Sequence, residues 1–182
     1  MFTLRLTEEA YLKVLDRKDA AEVFALTDAS RAHLRHWLPW LDAIRRPEDS
    51  EAFIGRTLEQ FAAGRGFQAG IWRGGALCGV AGLHPIDWAN KQSSLGYWIG
   101  APYEGQGLVT MACRAILDEA FGRFGLHRME LRAADGNARS QAVAERLGFR
   151  REGTVRDAEW LYDRYVDHAI FGLLASEWQI GP

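Results

Sequence analysis

The sequence predicts one α/β domain with a mixed sheet. Alternating or continuous apolar runs at 67–73, 76–83 and 92–99 read as strands. Apolar residues three and four apart between Leu108 and Ala120 read as a buried helix face. A glycine turn joins the last of those strands to that helix, which makes the helix a crossover and part of the sheet parallel. The length, 182 residues, suits a single domain spanning 1–182 with a full core.

Residues 1–15 alternate loosely and read as a strand pair or a bent strand. Asp19 is a suitable N-cap for a helix reaching about Ala29. From Ser30 to Trp40 a short helix is expected, broken by Pro39; its Trp37, Leu38 and Trp40 need a groove or a ligand to cover them. Pro47 takes the first position of another helix, with an apolar stripe of Ile54, Leu58, Phe61 and Ala62, ended by Gly64 and Gly66. Gly74-Gly75 is a two-residue hairpin turn between the first two central strands. The crossover helix is expected to reach about Gly122, burying Leu108, Met111, Ala112, Ala115, Ile116 and Ala120. A strand at 128–133, a helix at 137–147 closed by Gly148, and strands at 150–159 and 165–174 complete the chain.

Composition narrows the function. The chain is 48% hydrophobic and 25% charged with a net charge of −2, and no Arg/Lys block argues for a nucleic-acid partner. No apolar run approaches a membrane span of about 18 residues, and the N-terminus lacks a signal-peptide core, so a cytoplasmic protein is expected. Cys78 and Cys113 lack zinc spacing and read as buried apolar residues. His33, His36, His84, His127 and His168 do not cluster at ligand spacing, so no metal is expected. His84-Pro85 flanks an expected site loop.

The most informative stretch is Tyr97-Trp98-Ile99-Gly100-Ala101-Pro102-Tyr103-Glu104-Gly105-Gln106-Gly107-Leu108-Val109-Thr110. A strand feeding a glycine turn and a helix N-terminus converges backbone N–H groups where the helix dipole is positive, which suits a pyrophosphate. A P-loop requires Lys followed by Ser or Thr after the last glycine, and Leu108-Val109 stands there. A dinucleotide fingerprint requires a third glycine, and Thr110 or Met111 stands there.

Glu104-Gly105-Gln106-Gly107-Leu108-Val109 resembles the acetyl-coenzyme A signature of the GNAT N-acetyltransferase superfamily, Gln/Arg-x-x-Gly-x-Gly/Ala, with Glu104 and Val109 as departures. About thirty residues on, Asn137-Ala138-Arg139-Ser140 with Gly148-Phe149 resembles that superfamily's second signature. The two signatures fall within 92–122 and 127–149. Leu34, Trp37-Leu38-Pro39-Trp40, Gly96-Tyr97-Trp98 and the stretch from Glu159 to His168 are similar to the RimJ/RimL branch, protein N-terminal acetyltransferases of ribosomal proteins, and most similar to its RimL serine/alanine group. The resemblance implies a GNAT-like α/β domain: a mixed, mostly antiparallel sheet with a splayed strand pair and helices on both faces.

It also implies a site. Backbone N–H groups of Gly105, Gln106, Gly107, Leu108, Val109 and Thr110 would hold the diphosphate of acetyl-CoA. The strand edge at Tyr97, Trp98 and Ile99 would pair with the pantetheine arm and supply an oxyanion donor, with Asn137 on the other side. Many members carry a tyrosine acid where this chain has Ala144; by resemblance Ser140 takes that role, unless it only caps its helix. Ser93-Ser94 offers no carboxylate, so Glu159 is implied as the base, with Asp157 and Asp163 as competitors and a solvated turn carboxylate as the plain alternative. Trp37, Trp40 and His84 would wall the acceptor groove, although the tryptophans also suit a core. The implied acceptor is a protein or peptide N-terminus, in a protein that is a homodimer if it follows its branch. A small-molecule amine acceptor, a silent coenzyme A-binding module and a plain interaction domain are the rival readings.

Overall fold

A computed structural model of the chain describes residues 2–179; residue 1 and residues 180–182 of the expected domain lie outside the described residues. Among the described residues eight strands form one sheet: β1 (Thr3–Arg5), β2 (Ala10–Val14), β3 (Phe67–Arg73), β4 (Ala76–Leu83), β5 (Gln92–Ile99), β6 (Arg128–Ala134), β7 (Arg150–Leu161) and β8 (Arg164–Leu174). Their order is β1-β2-β3-β4-β5-β6-β8-β7. Every neighbouring pair is antiparallel except β5 and β6. That exception follows from the crossover, because a helix must carry the chain back to the same end of the sheet.

The helices are α1 (Ala20–Ala29), α2 (Arg31–Leu34), α3 (Pro47–Ala62), α4 (Leu108–Asp118) and α5 (Ala138–Arg146). Two buried clusters lie on opposite faces of the sheet. One joins Phe67, Leu95, Leu131 and Phe171 to Ile116 of α4 and Val143 of α5. The other joins Trp72, Val80 and Trp98 to Val23 of α1 and Ile54 of α3. The period-2 alternation of each strand makes this division. Leu95 and Tyr97 belong to the α4/α5 face, and Trp98 to the α1/α3 face.

The three central strands and the Gly74-Gly75 turn fall where periodicity puts them, with φ of 57° and 82° at the two glycines. Several details differ from expectation. Asp19 precedes α1 but makes no cap to it; its carboxylate accepts from Lys13 Nζ at 3.1 Å and Asp16 N at 2.8 Å, bracing the preceding turn. α2 ends at Leu34, well before Pro39. On α3, Ile54 is buried and Leu58 half-buried as the stripe requires, but Phe61 (37% exposed) and Ala62 face solvent, and the helix also buries Ser50, Gly55 and Thr57. On α4, Cys113 and Leu117 are buried where Met111 and Ala115 are only half-buried, and the helix runs on into a wider turn at Glu119–Arg123. Both cysteines are buried and free.

Candidate active site

β5 and β6 pair only from Gln92↔Arg128 to Leu95↔Leu131 and then part. Beyond that point β5 stays with β4 and β6 stays with β8. The hydrogen bonds from His84 N to Ser94 O (3.0 Å) and Gly100 N to Cys78 O (2.8 Å) fix which β5 groups face β4. By alternation, the N–H and C=O groups of Tyr97 and Ile99 face the gap, where β6 no longer runs beside them. This is the splayed pair, and it opens a cleft of about 1290 Å³ between the two faces of the sheet.

The glycine turn closes one end of the cleft. Gly105 and Gly107 have φ of 69° and 73°, and a Cβ on either would meet nothing within 4 Å. Glycine is needed here for its left-handed backbone, not for space. Gly107 is the N-cap of α4 and no side chain caps that helix. The N–H groups of Leu108, Val109 and Thr110 therefore lack intrahelical partners and face the cleft end of a positive helix dipole. Gln106 turns its amide to Pro102 O (2.9 Å), bracing the turn. Gly105, Gln106, Gly107, Leu108, Val109 and Thr110 all line the cleft. The cradle fits a diphosphate by its free donors, and the open β5 edge fits an amide-bearing arm.

Asn137 caps α5, its Oδ1 accepting from Ser140 N at 3.1 Å. That oxygen is engaged within the helix, which leaves the side-chain amide N–H groups for anything in the cleft. Ser140 and Asn137 both line the cleft. The Ser140 Oγ lies 2.8 Å from the Tyr97 hydroxyl, so a β5 side chain reaches across to α5. Burial, more than any neighbouring charge, pushes the Tyr97 phenol well above its ordinary range. Ala144 is fully buried and supplies no hydroxyl.

Trp37, Trp40 and His84 also line the cleft, with Trp40 packed against the α1/α3 cluster. The Trp37 ring reaches to within 3.8 Å of where a Cβ on Gly136 would lie, so it spans toward the β6–α5 connection. Trp40 meets Trp98 edge-on at 6.3 Å. The Tyr162 hydroxyl donates to Leu38 O at 2.5 Å and Arg35 stacks on its ring at 3.8 Å, tying this segment to the β7–β8 turn. His84 is accessible within the cleft, yet its walls crowd it, and that desolvation lowers its pKa below the usual imidazole value. Its Nδ1 is 2.8 Å from Ser94 Oγ.

Glu159 sits within β7 opposite Val166, one strand position short of Trp160 and Leu161, with the hairpin turn itself at Tyr162 and Asp163. Its carboxylate lines the cleft and lies 3.5 Å from His168 Nε2. Asp157 and Asp163 do not line the cleft. Sequence reasoning missed four cleft groups, His33, Glu104, Arg139 and His168. His168 stands beside Glu159, and Glu104 is held by Arg139 of α5 and by His33 at 3.4 Å. The one signal was Glu104 itself, an acid where the signature has Gln or Arg. Among the described residues no group of three or more His, Cys, Asp or Glu is placed to hold a metal ion.

Comparisons with known proteins agree with this geometry. Residues 10–150 match the acetyltransferase (GNAT) domain family. Bacillus subtilis YdaF, a ribosomal N-acetyltransferase by provisional name, is 34% identical over 180 residues, 98% of either chain. The ribosomal-protein-serine acetyltransferase of Escherichia coli is 26% identical over 169 residues, 93% of this chain and 94% of its own. The crystal structure of the microcin self-immunity acetyltransferase MccE, in complex with acetyl-CoA and AMP, superposes with a TM-score of 0.88 at 28% identity, covering 93% of this chain and 94% of that one. The chain belongs to the GNAT acetyltransferase family and is an N-acetyltransferase of the RimJ/RimL branch.

Proposed function

We propose that this GNAT enzyme uses acetyl-CoA to acetylate the α-amino group of a protein or peptide N-terminus, of the ribosomal-protein type. The observation that carries this is one cleft joining an uncapped helix N-terminus, an unpaired strand edge, a hydroxyl and a carboxylate. Acetyl-CoA, when bound, supplies an acetyl group activated as a thioester. The N–H groups from Gly105 to Thr110 hold its diphosphate, and the edge at Tyr97 and Ile99 hydrogen-bonds its arm by strand addition. Asn137 steadies the arm from α5. An N–H of the same edge polarises the reacting carbonyl. Glu159 accepts the amine proton, directly or through water, and Ser140 donates to the departing sulfur. Trp37, Trp40 and His84 wall the acceptor groove. Residues 1–182 act as one domain in the cytoplasm, as a homodimer.

The two relatives named for ribosomal substrates support the acceptor class. A polycationic small amine is disfavoured by charge. The cleft is lined by two carboxylates, Glu104 and Glu159, and by four arginines, Arg56, Arg132, Arg139 and Arg146, so no acidic surplus awaits a polyamine. The test is release of free thiol from acetyl-CoA with peptides beginning Ser or Ala, against polyamines and aminoglycosides. Turnover with the peptides, lost in Ser140→Ala and Glu159→Gln, is expected. Turnover with amines alone would replace the acceptor; saturable binding without turnover on any amine would make the chain a binding module.

A further inference from the structure

The hydroxyl proposed to serve the sulfur is not alone. Tyr97 Oη lies 2.8 Å from Ser140 Oγ and 3.3 Å from Ser140 O. The carbonyl can only accept, so the phenol has two places to send its proton. If it donates to the carbonyl, the Ser140 hydroxyl must donate to the phenol, and its proton turns away from the cleft. If it donates to Oγ, the Ser140 proton is free to face the cleft. The distances decide between these. A separation of 2.8 Å is ordinary for O–H···O and 3.3 Å is beyond the usual range. The phenol is also the stronger acid of the two hydroxyls and hence the better donor. Burial keeps it protonated, so it remains a donor throughout any working pH.

The elements that bring these groups together are independent of each other. Tyr97 comes from the stretch of β5 that has left β6, on the face of the sheet that carries α5. Ser140 is fixed in the first turn of α5 by the Asn137 cap. Ala144, one turn further along α5, is fully buried and offers no hydroxyl.

Resting on the function proposed above, we propose that Tyr97 is the positioning residue for Ser140. Its hydroxyl donates to Ser140 Oγ and turns the serine proton into the cleft, supplying from β5 the phenol that α5 lacks. Ser140 then presents its proton to the sulfur, and the Tyr97 donor offsets charge that develops on Oγ as that proton is shared. Tyr97 keeps its own proton throughout; the proton that Ser140 passes to the sulfur is replaced by the one the amine gives up to Glu159, carried through water, so the sulfur ends as the free thiol and Ser140 as the hydroxyl.

Tyr97→Phe keeps the ring and removes the donor. Coenzyme A affinity by calorimetry, the thiol pKa of bound coenzyme A by ultraviolet titration of the thiolate, and kcat are measured for wild type, Tyr97→Phe, Ser140→Ala and the double variant. The expected result is affinity within about twofold of wild type, with a raised bound-thiol pKa and kcat lower by about tenfold, the worth of one hydrogen bond to a developing charge. In the Ser140→Ala background Tyr97→Phe should change neither. Unchanged thiol pKa and kcat in Tyr97→Phe overturn the proposal, as does an equal effect with or without Ser140. A Tyr97→Phe protein that binds coenzyme A poorly and shows no separate thiol shift also overturns it, since the role is then structural. A wild type that binds no coenzyme A overturns the proposed function itself, a result distinct from any of these.

Discussion

Glu104 and Arg139 form an ion pair that joins the two walls of the cleft, the glycine turn on one side and the first turn of α5 on the other. The acid stands where a diphosphate is proposed to bind, and the arginine neutralises it. Removing the acid alone should therefore help an anion. Glu104→Gln is expected to tighten coenzyme A binding by about threefold to tenfold, on the order of 1 kcal/mol. Arg139→Gln should weaken it by a similar factor. Arg139 is largely exposed, so both effects should shrink as salt rises. Calorimetry at two ionic strengths measures this; weaker binding in Glu104→Gln would contradict it.

Gly107 combines a left-handed backbone with open space around its Cα. Gly107→Ala has no clash to relieve and should lose only about 1–2 kcal/mol of stability from the strained φ. Coenzyme A affinity should fall further than stability does, because the N–H groups that follow are re-aimed. A thermal melt beside a binding titration separates the two. Unchanged affinity with lowered melting temperature would mean the turn is only structural.

Gly96 is glycine for the opposite reason. A Cβ there would lie 2.4 Å from His84 Nε2. Gly96→Ala should push the imidazole off Ser94 and destabilise the protein by about 1–3 kcal/mol, the usual penalty of overpacking. Adding His84→Ala should recover most of the lost melting temperature. Equal melting temperatures for Gly96→Ala with and without His84→Ala would show that the crowding lies elsewhere.

His84 also carries a pH dependence. Its folded pKa lies below the ordinary 6.5 because burial disfavours the charged ring. Between those two values the unfolded chain binds more protons, so the stabilisation present above about pH 6.5 is lost as pH falls toward the folded pKa. His84→Asn should lose less melting temperature than wild type between about pH 7.5 and about pH 5.5. Parallel melting curves across that range would contradict the shift.

The sequence made some of this site legible because the information is local. Two glycines spaced around Gln106, a strand before and a helix after, are enough to imply an uncapped N-terminus at Leu108. Asn137 and Gly148 likewise bracket α5 within a dozen residues. What escaped depends on distant packing. Phe61 continues a helical stripe, yet α3 packs on the core through Phe53, Ile54 and Leu58 and leaves Phe61 to solvent, and nothing near Phe61 in the chain says so. Tyr97 and Ser140 are separated by 43 positions, so their hydrogen bond follows from how α5 lies over the parted strands. His168 reaches Glu159 only because β7 and β8 pair in the register they do.

The central claim is that the gap between β5 and β6, together with the α4 N-terminus, receives acetyl-CoA through main-chain N–H groups. Amide hydrogen exchange with and without saturating acetyl-CoA tests it most directly. The amides of Tyr97, Ile99 and residues 107–110 should slow markedly on addition, while the amides of β1 and β2 stay as they were. Exchange at Tyr97, Ile99 and 107–110 that is the same with and without acetyl-CoA would contradict the account.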